Sequence, residues 1–221
     1  MTAALQGSLL DLMDSPALGA LTGRLQRTQL TGGAGLPGSA GLSGSAWIDL
    51  RPNWLTGGDE VFRSLLTGVS WQAERRQMYD RMVDVPRLTR FYAEGAPLPH
   101  PILAQARSML SRHYRAELGE DFVTAGMCLY RDGRDSVAWH GDVRGHGRYR
   151  DTMVAILSLG SPRQFLLRPR AGGASLRRTL AHGDLLVMGG SCQRTWEHAV
   201  PKTSKPVGPR MSVQFRPRGV T

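Results

Sequence analysis

The tripeptide His-Gly-Asp occurs twice in the chain, in "SVAWHGDVRG" as His140, Gly141 and Asp142, and in "TLAHGDLLVMGG" as His182, Gly183 and Asp184. A histidine and a carboxylate two residues apart can hold one metal ion if both point to the same side. Roughly a third of one His-x-Asp arises by chance in a chain of this composition, so context has to separate the copies.

The first copy ends an apolar run. Strand parity sets Val137, Trp139 and Gly141 on one face and Ala138, His140 and Asp142 on the other, so the two ligand types point together. The second copy lies between "SLRRTL" and "DLLVMGG", where Gly-Asp reads as a turn into a buried strand. There His182 and Asp184 read as turn formers, with the carboxylate taking nearby backbone N–H groups. A third ligand is offered by His198 in "RTWEHAVPK". Two histidines and one carboxylate form a facial triad suited to Fe(II), with positions left open for substrate and dioxygen. Zinc accepts the same set.

Further on, "PRMSVQFRPR" reads as a strand with Arg210, Ser212, Gln214 and Arg216 on one face. Arginines aimed into a barrel are costly unless they meet anions. A dicarboxylate co-substrate would satisfy them through the fork geometry of guanidinium. The alternative is a pair of surface arginines on an edge strand.

These residues need a scaffold. After Phe122 the chain breaks into seven short apolar segments, "AGMCLYRD", "SVAWHGD", "TMVAILSLG", "RQFLLRPR", "SLRRTLA", "DLLVMGG" and "RMSVQFRPR", separated by turn signals. That pattern predicts a β-sandwich or barrel of the jelly-roll kind. Before it, "GDEVFRSLLTG" (58–68) reads as a helix opened by an Asp cap signal. "HPILAQARSMLSRHYRAELG" (100–119) reads as a longer helix with Pro101 at its start and His113 as a packed core histidine. Residues 31–46 are Gly, Ser, Ala, Leu and Pro almost throughout and read as a linker; upstream, "SLLDLMDSPALGALTGRLQR" allows one short amphipathic helix. The division is a flexible or partly helical segment over 1–45 and a folded domain over 46–221.

The net charge of +10 is uneven: residues 1–120 carry 12 basic and 11 acidic side chains, residues 121–221 carry 16 and 7. The half with both tripeptides therefore carries the excess, as a polyanion-binding face would. The bland account is an arginine bias of base composition, since 26 of the 28 basic residues are arginine. No apolar run is long enough to span a bilayer, and the N-terminus lacks the basic start of a secretory signal, so a cytoplasmic protein is expected. Cys128 and Cys192 are too few for a disulfide framework.

With "CLYRDGRDSVAWHGD", "LAHGDLLVMGG", "TWEHAVPK", "PRMSVQFRPR" and, upstream, "VPRLTRFY" in this order, the chain resembles the AlkB-like Fe(II)/2-oxoglutarate-dependent dioxygenases over about residues 46–218. The resemblance implies an α+β, mainly β fold, a double-stranded β-helix core with supporting N-terminal helices. It implies iron held by His140, Asp142 and His198, and 2-oxoglutarate bound by Arg210 and Tyr130. Arg216 would support Asp142, and Cys128, Ser212 and Gln214 would line the co-substrate. Trp139, Arg144, Arg87 and Tyr92 would border the substrate. The implied reaction couples dioxygen and decarboxylation of 2-oxoglutarate to hydroxylation of an N-alkyl group on a DNA or RNA base. The group then leaves as an aldehyde. The partner is alkylated nucleic acid, and the protein is expected to be a monomer.

Several departures from the family pattern bear on the co-substrate or the substrate. Cys128 stands where members commonly have Asn, and Ser212 and Gln214 replace Asn and Thr. Arg144 stands where base-sensing members carry an acid, and an arginine accepts no hydrogen bond. "AEGAPLPHP", where repair members place an aromatic hairpin, is short and holds no aromatic residue. The same oxygenase chemistry on a protein side chain or small molecule is the alternative.

Overall fold

Strands buried on both faces carry unbroken apolar runs, and "VAILSLG" and "LLVMG" form two such strands at the centre of the protein. The computed structural model describes residues 15–22, 26–31, 45–78, 81–143 and 145–220. In chain order the elements are β1 (Ala17–Leu18), β2 (Gln26–Gln29), β3 (Trp47–Arg51), β4 (Leu55–Thr56), α1 (Gly58–Gly68), β5 (Gln72–Met78), β6 (Arg81–Tyr92) and α2 (Pro101–Leu118). They continue with β7 (Thr124–Tyr130), β8 (Val137–His140), β9 (Val154–Gly160), β10 (Arg163–Pro169), β11 (Leu176–Leu180), β12 (Leu185–Gly189), α3 (Cys192–Thr195), β13 (Trp196–Val200) and β14 (Arg210–Arg216).

The strands form an eight-stranded sheet in the order β2-β3-β12-β9-β14-β7-β6-β5, a four-stranded sheet in the order β11-β10-β13-β8, and the small pair β1-β4. Every pairing is antiparallel. The period-2 alternation of β14 explains how the layers divide. Met211, Val213 and Phe215 join one core with Phe62 and Leu65 of α1 and Leu103 and Leu110 of α2. On the other side of the large sheet, Ile156, Leu186 and Met188 pack with Phe165, Leu167 and Trp196 of the small sheet. Arg210, Ser212, Gln214 and Arg216 fall on this second face, between the sheets.

Both helices lie where the sequence puts them. Pro101 opens α2, His100 Nδ1 accepts the Ile102 amide at 3.2 Å, and Gly119 closes it in the left-handed region at φ 80. The start of α1 differs in detail: its N-cap is Gly57, and Asp59 sits in the first turn, where a carboxylate favours the helix dipole. His113 is half-buried and meets the Tyr114 ring edge-on at 4.6 Å.

All seven segments expected after Phe122 are strands, and β13 is an eighth. The N-terminal segment departs from expectation. Its described residues include β1 and β2 rather than a helix, and β2 extends the large sheet because Arg27 reaches the buried Asp49 with two hydrogen bonds of 2.8 Å. Most of the expected linker, 32–44, lies outside the described residues. A hairpin does stand upstream of the short segment after Tyr92, as β5 and β6 at the edge of the large sheet.

Candidate metal centre

β8 and β13 pair so that His140 and His198 are direct register partners, with ring centroids 4.2 Å apart. Asp142 follows β8 and turns back toward them: Oδ1 lies 3.9 Å from His140 Nε2. One ligand atom from each of the three residues lies within 4.8 Å of the others, the one such cluster among the described residues. Asp142 and His198 are buried, and His140 keeps 38% of its side chain exposed.

The surroundings prepare the ligands for a cation. Asp142 Oδ2 accepts from Arg216 Nε at 2.8 Å, leaving Oδ1 toward the histidines. The Asp142 backbone N–H donates to Gln193 Oε1 at 2.9 Å. Burial alone would raise the Asp142 carboxyl, but Arg216 together with His198 and His140 outweighs it and holds the group down at about 2. Burial, reinforced by His140, pushes His198 down to about 3. At neutral pH the set is therefore one carboxylate and a neutral buried imidazole, the forms that ligate metals. Nitrogen and oxygen donors with one exposed side fit a divalent ion that binds further ligands from solvent.

The same face continues along β14 to Arg210, which is 1% exposed. Its Nε donates to Ser158 Oγ at 3.1 Å, its guanidinium carbon stands 5.2 Å from the Tyr130 ring centroid, and its buried Nη1 has no partner among the described residues. A buried guanidinium with an unanswered donor calls for an anion. Tyr130 is buried beside it, and burial, with Cys128 nearby, raises its phenol to about 12. Cys128 and Ser212 are register partners, and Gln214 Nε2 donates to both oxygens of Ser212. The residues fit a small dicarboxylate with one end at Arg210.

The four residues named for the substrate border part company. Trp139 lies beneath the Arg168 guanidinium at 4.3 Å, on the outer face of the small sheet, because parity opposes it to His140. Tyr92 packs into the helix-side core, turned from the metal cluster by the same alternation. Arg87 Nη1 donates to Ser136 O at 3.4 Å, tying β6 to the segment before β8. Arg144 lies outside the described residues. Of the two aromatic neighbours that could stack on a base, Phe91 rather than Tyr92 is on the site side: it pairs with Gly126 on the face of Arg216 and Gln214, and is 52% exposed. Gln193 was invisible in the sequence, because nothing in "SCQRTW" marks it.

The second tripeptide is a turn, as its context predicts. His182 Nδ1 accepts the Gly160 amide at 2.9 Å, and Asp184 accepts the amides of Asn53 and Ala181 at 2.9 and 2.8 Å.

Comparisons with known proteins agree with this geometry. Residues 61–216 match the 2OG-Fe(II) oxygenase superfamily. "Alpha-ketoglutarate-dependent dioxygenase alkB homolog 3" of Bos taurus is 33% identical over 190 residues, covering 75% of this chain and 65% of that protein. "DNA oxidative demethylase ALKBH2" of Homo sapiens is 27% identical over 181 residues, covering 72% and 67%. The chain thus spans a little under two thirds, 63–65%, of the alkB homolog 3 proteins it matches. A solved structure described as "The structure of OsALKBH1" shares the fold at a TM-score of 0.54 and 15% identity, covering 76% of this chain and 97% of that one. The chain belongs to the 2OG-Fe(II) oxygenase superfamily, and its relatives there are AlkB homologues.

Proposed function

We propose that the protein is an Fe(II)- and 2-oxoglutarate-dependent dioxygenase that removes N-alkyl groups oxidatively from DNA or RNA bases. The observation that carries this reading is the pairing of the His140, Asp142 and His198 cluster on the small sheet with the unanswered, buried donor of Arg210 on the facing side of the large sheet. With iron, 2-oxoglutarate and dioxygen bound there, the chemistry supplied is decarboxylation to succinate and carbon dioxide coupled to hydroxylation of an alkyl C–H bond.

The chain's own residues then have definite tasks. His140, Asp142 and His198 hold the ion from one side, and Arg216 keeps Asp142 ionised and aimed. Arg210 binds the far carboxylate of the co-substrate. Tyr130 stays protonated, because its phenol is raised to about 12, and so donates a hydrogen bond to that carboxylate. Cys128, Ser212 and Gln214 line the co-substrate, and Arg87 steadies the approach to β8. A base must leave its stack to reach such a site. Phe91, exposed on the site face, is suited to stack against it.

Nucleic acid as the substrate is supported by the relatives, one of which is described as a DNA demethylase, and by the basic balance of residues 121–221. Among the described residues no helix is long and apolar enough to cross a membrane. The test is succinate release measured with Fe(II), 2-oxoglutarate and a panel of N-methylated oligonucleotides, with base products resolved by mass. Methyl loss that requires all three components is the expected result. Turnover that no oligonucleotide stimulates, together with a mass shift on a protein or metabolite, would transfer the chemistry to another substrate class.

A further inference from the structure

His140 stands on the least secured strand of the site. β8 has four residues, forms one edge of the small sheet, and meets β13 at two register positions with a bulge between them. Among the described residues the His140 ring hydrogen-bonds only within its own strand, through Nδ1 to Ala138 O at 2.9 Å. Asp142, by contrast, is gripped by both Arg216 and Gln193. The spacing between the two imidazoles must therefore be set by neighbours of His140.

Those neighbours are held from behind. Trp139 lies under the Arg168 guanidinium at 4.3 Å, a favourable cation–π contact. On the other flank, the missing Cβ of Gly141 makes room for Arg170, whose Nη2 would stand 2.6 Å from it. Both arginines end on one carboxylate. Arg168 donates to Glu197 Oε2 through Nη2 at 2.8 Å and Nε at 3.1 Å, and Arg170 Nη1 donates to Oε1 at 3.1 Å. Glu197 immediately precedes His198 and alternates to the opposite face of β13.

We propose that Glu197 is a positioning residue for the metal: through Arg168 and Arg170 it clasps both flanks of His140 to the strand that carries His198. The proposal rests on the iron-site reading above. An isolated ion pair this close to the surface adds little to global stability. Its effect here falls on the separation of two ligands, to which metal affinity is far more sensitive. A carboxylate offers each arginine its own oxygen. A glutamine offers one oxygen and an NH2 group that accepts nothing, so Glu197→Gln must release or weaken one arm.

The test is a Co(II) titration of the full chain, followed by calorimetry and by the visible absorption of the bound ion. The wild type is expected to bind one Co(II), and Glu197→Gln to bind it about tenfold more weakly, within the range seen when groups behind a ligand are removed. Glu197→Asp, which keeps the charge, is expected to fall between them. Melting temperatures should be nearly equal, and amide exchange should speed up in residues 137–141 but not in β14. Arg170→Met, at an exposed position, removes one arm and gives a second measure should Glu197→Gln fold poorly; it too should weaken binding. Co(II) affinities of Glu197→Gln or Arg170→Met within twofold of wild type would overturn the proposal, as would a lowered melting temperature with unchanged affinity. A wild type that binds no Co(II) would overturn the iron-site reading itself, and this inference with it.

Discussion

Arg216 Nε donates to Asp142 Oδ2 at 2.8 Å across the space between the two sheets, and both side chains are nearly closed to solvent. The bond joins β14 of the large sheet to the ligand that follows β8 of the small one. It occupies one carboxylate oxygen and leaves the other facing His140.

Removing that partner should cost metal before it costs fold. Arg216→Met is expected to weaken Mn(II) or Co(II) binding by about 10- to 100-fold. The deficit should widen as pH falls, because burial without Arg216 raises the Asp142 carboxyl from its low value of about 2. Titrations at pH 7.5 and 5.5 measure both effects.

Arg210→Met should separate stability from co-substrate binding. Arg210 buries a charge with an unanswered Nη1, so replacing it leaves the unfolding midpoint unchanged or higher. Affinity for 2-oxoglutarate should fall by about 30-fold or more, as a charge-assisted contact worth roughly 2 kcal/mol is lost. Calorimetry on metal-loaded protein checks the second point, and thermal melts check the first.

Phe91→Ala tests the substrate side. Stacking of one base on an aromatic ring is worth about 1–3 kcal/mol, so the KM for a methylated oligonucleotide should rise about fivefold or more. Succinate formed without oligonucleotide should not change. Phe91→Tyr should restore the wild-type KM.

His113 gives the protein a pH-dependent term remote from the metal. Burial, with Arg51 nearby, lowers its pKa below the ordinary 6.5. The unfolded chain therefore takes the proton first as pH falls, and the stability present above pH 6.5 is lost below it. The wild-type unfolding free energy should decline from pH 7 to 5 more steeply than that of His113→Phe, as urea melts would show.

What was legible in the sequence follows from where physical pattern is strong. β9, β12 and β14 sit between two packed layers, so their apolar periodicity survives intact, and the metal set is carried by residue types that have few other reasons to converge. β5 was illegible because "QAERRQM" has no apolar alternation to mark a buried face. β2 was illegible because its place in the sheet depends on the long-range contact of Arg27 with Asp49. Trp139 and Tyr92 show the limit of reading a site by nearness in sequence. Each adjoins a residue on the site face, and alternation therefore turns each away.

The turn made by the second His-Gly-Asp carries a consequence for how the protein tolerates change. The His182 ring fills the place a Cβ would take on Gly58, 2.4 Å from Nε2, while its Nδ1 holds Gly160, which pairs directly with Arg210. Gly58, His182 and Gly160 thus behave as one hereditary unit: a side chain gained at the first helix is felt, through one imidazole, beside the buried Arg210. Substitutions among the three should be strongly epistatic, each permitted only in company, although none of them touches the metal.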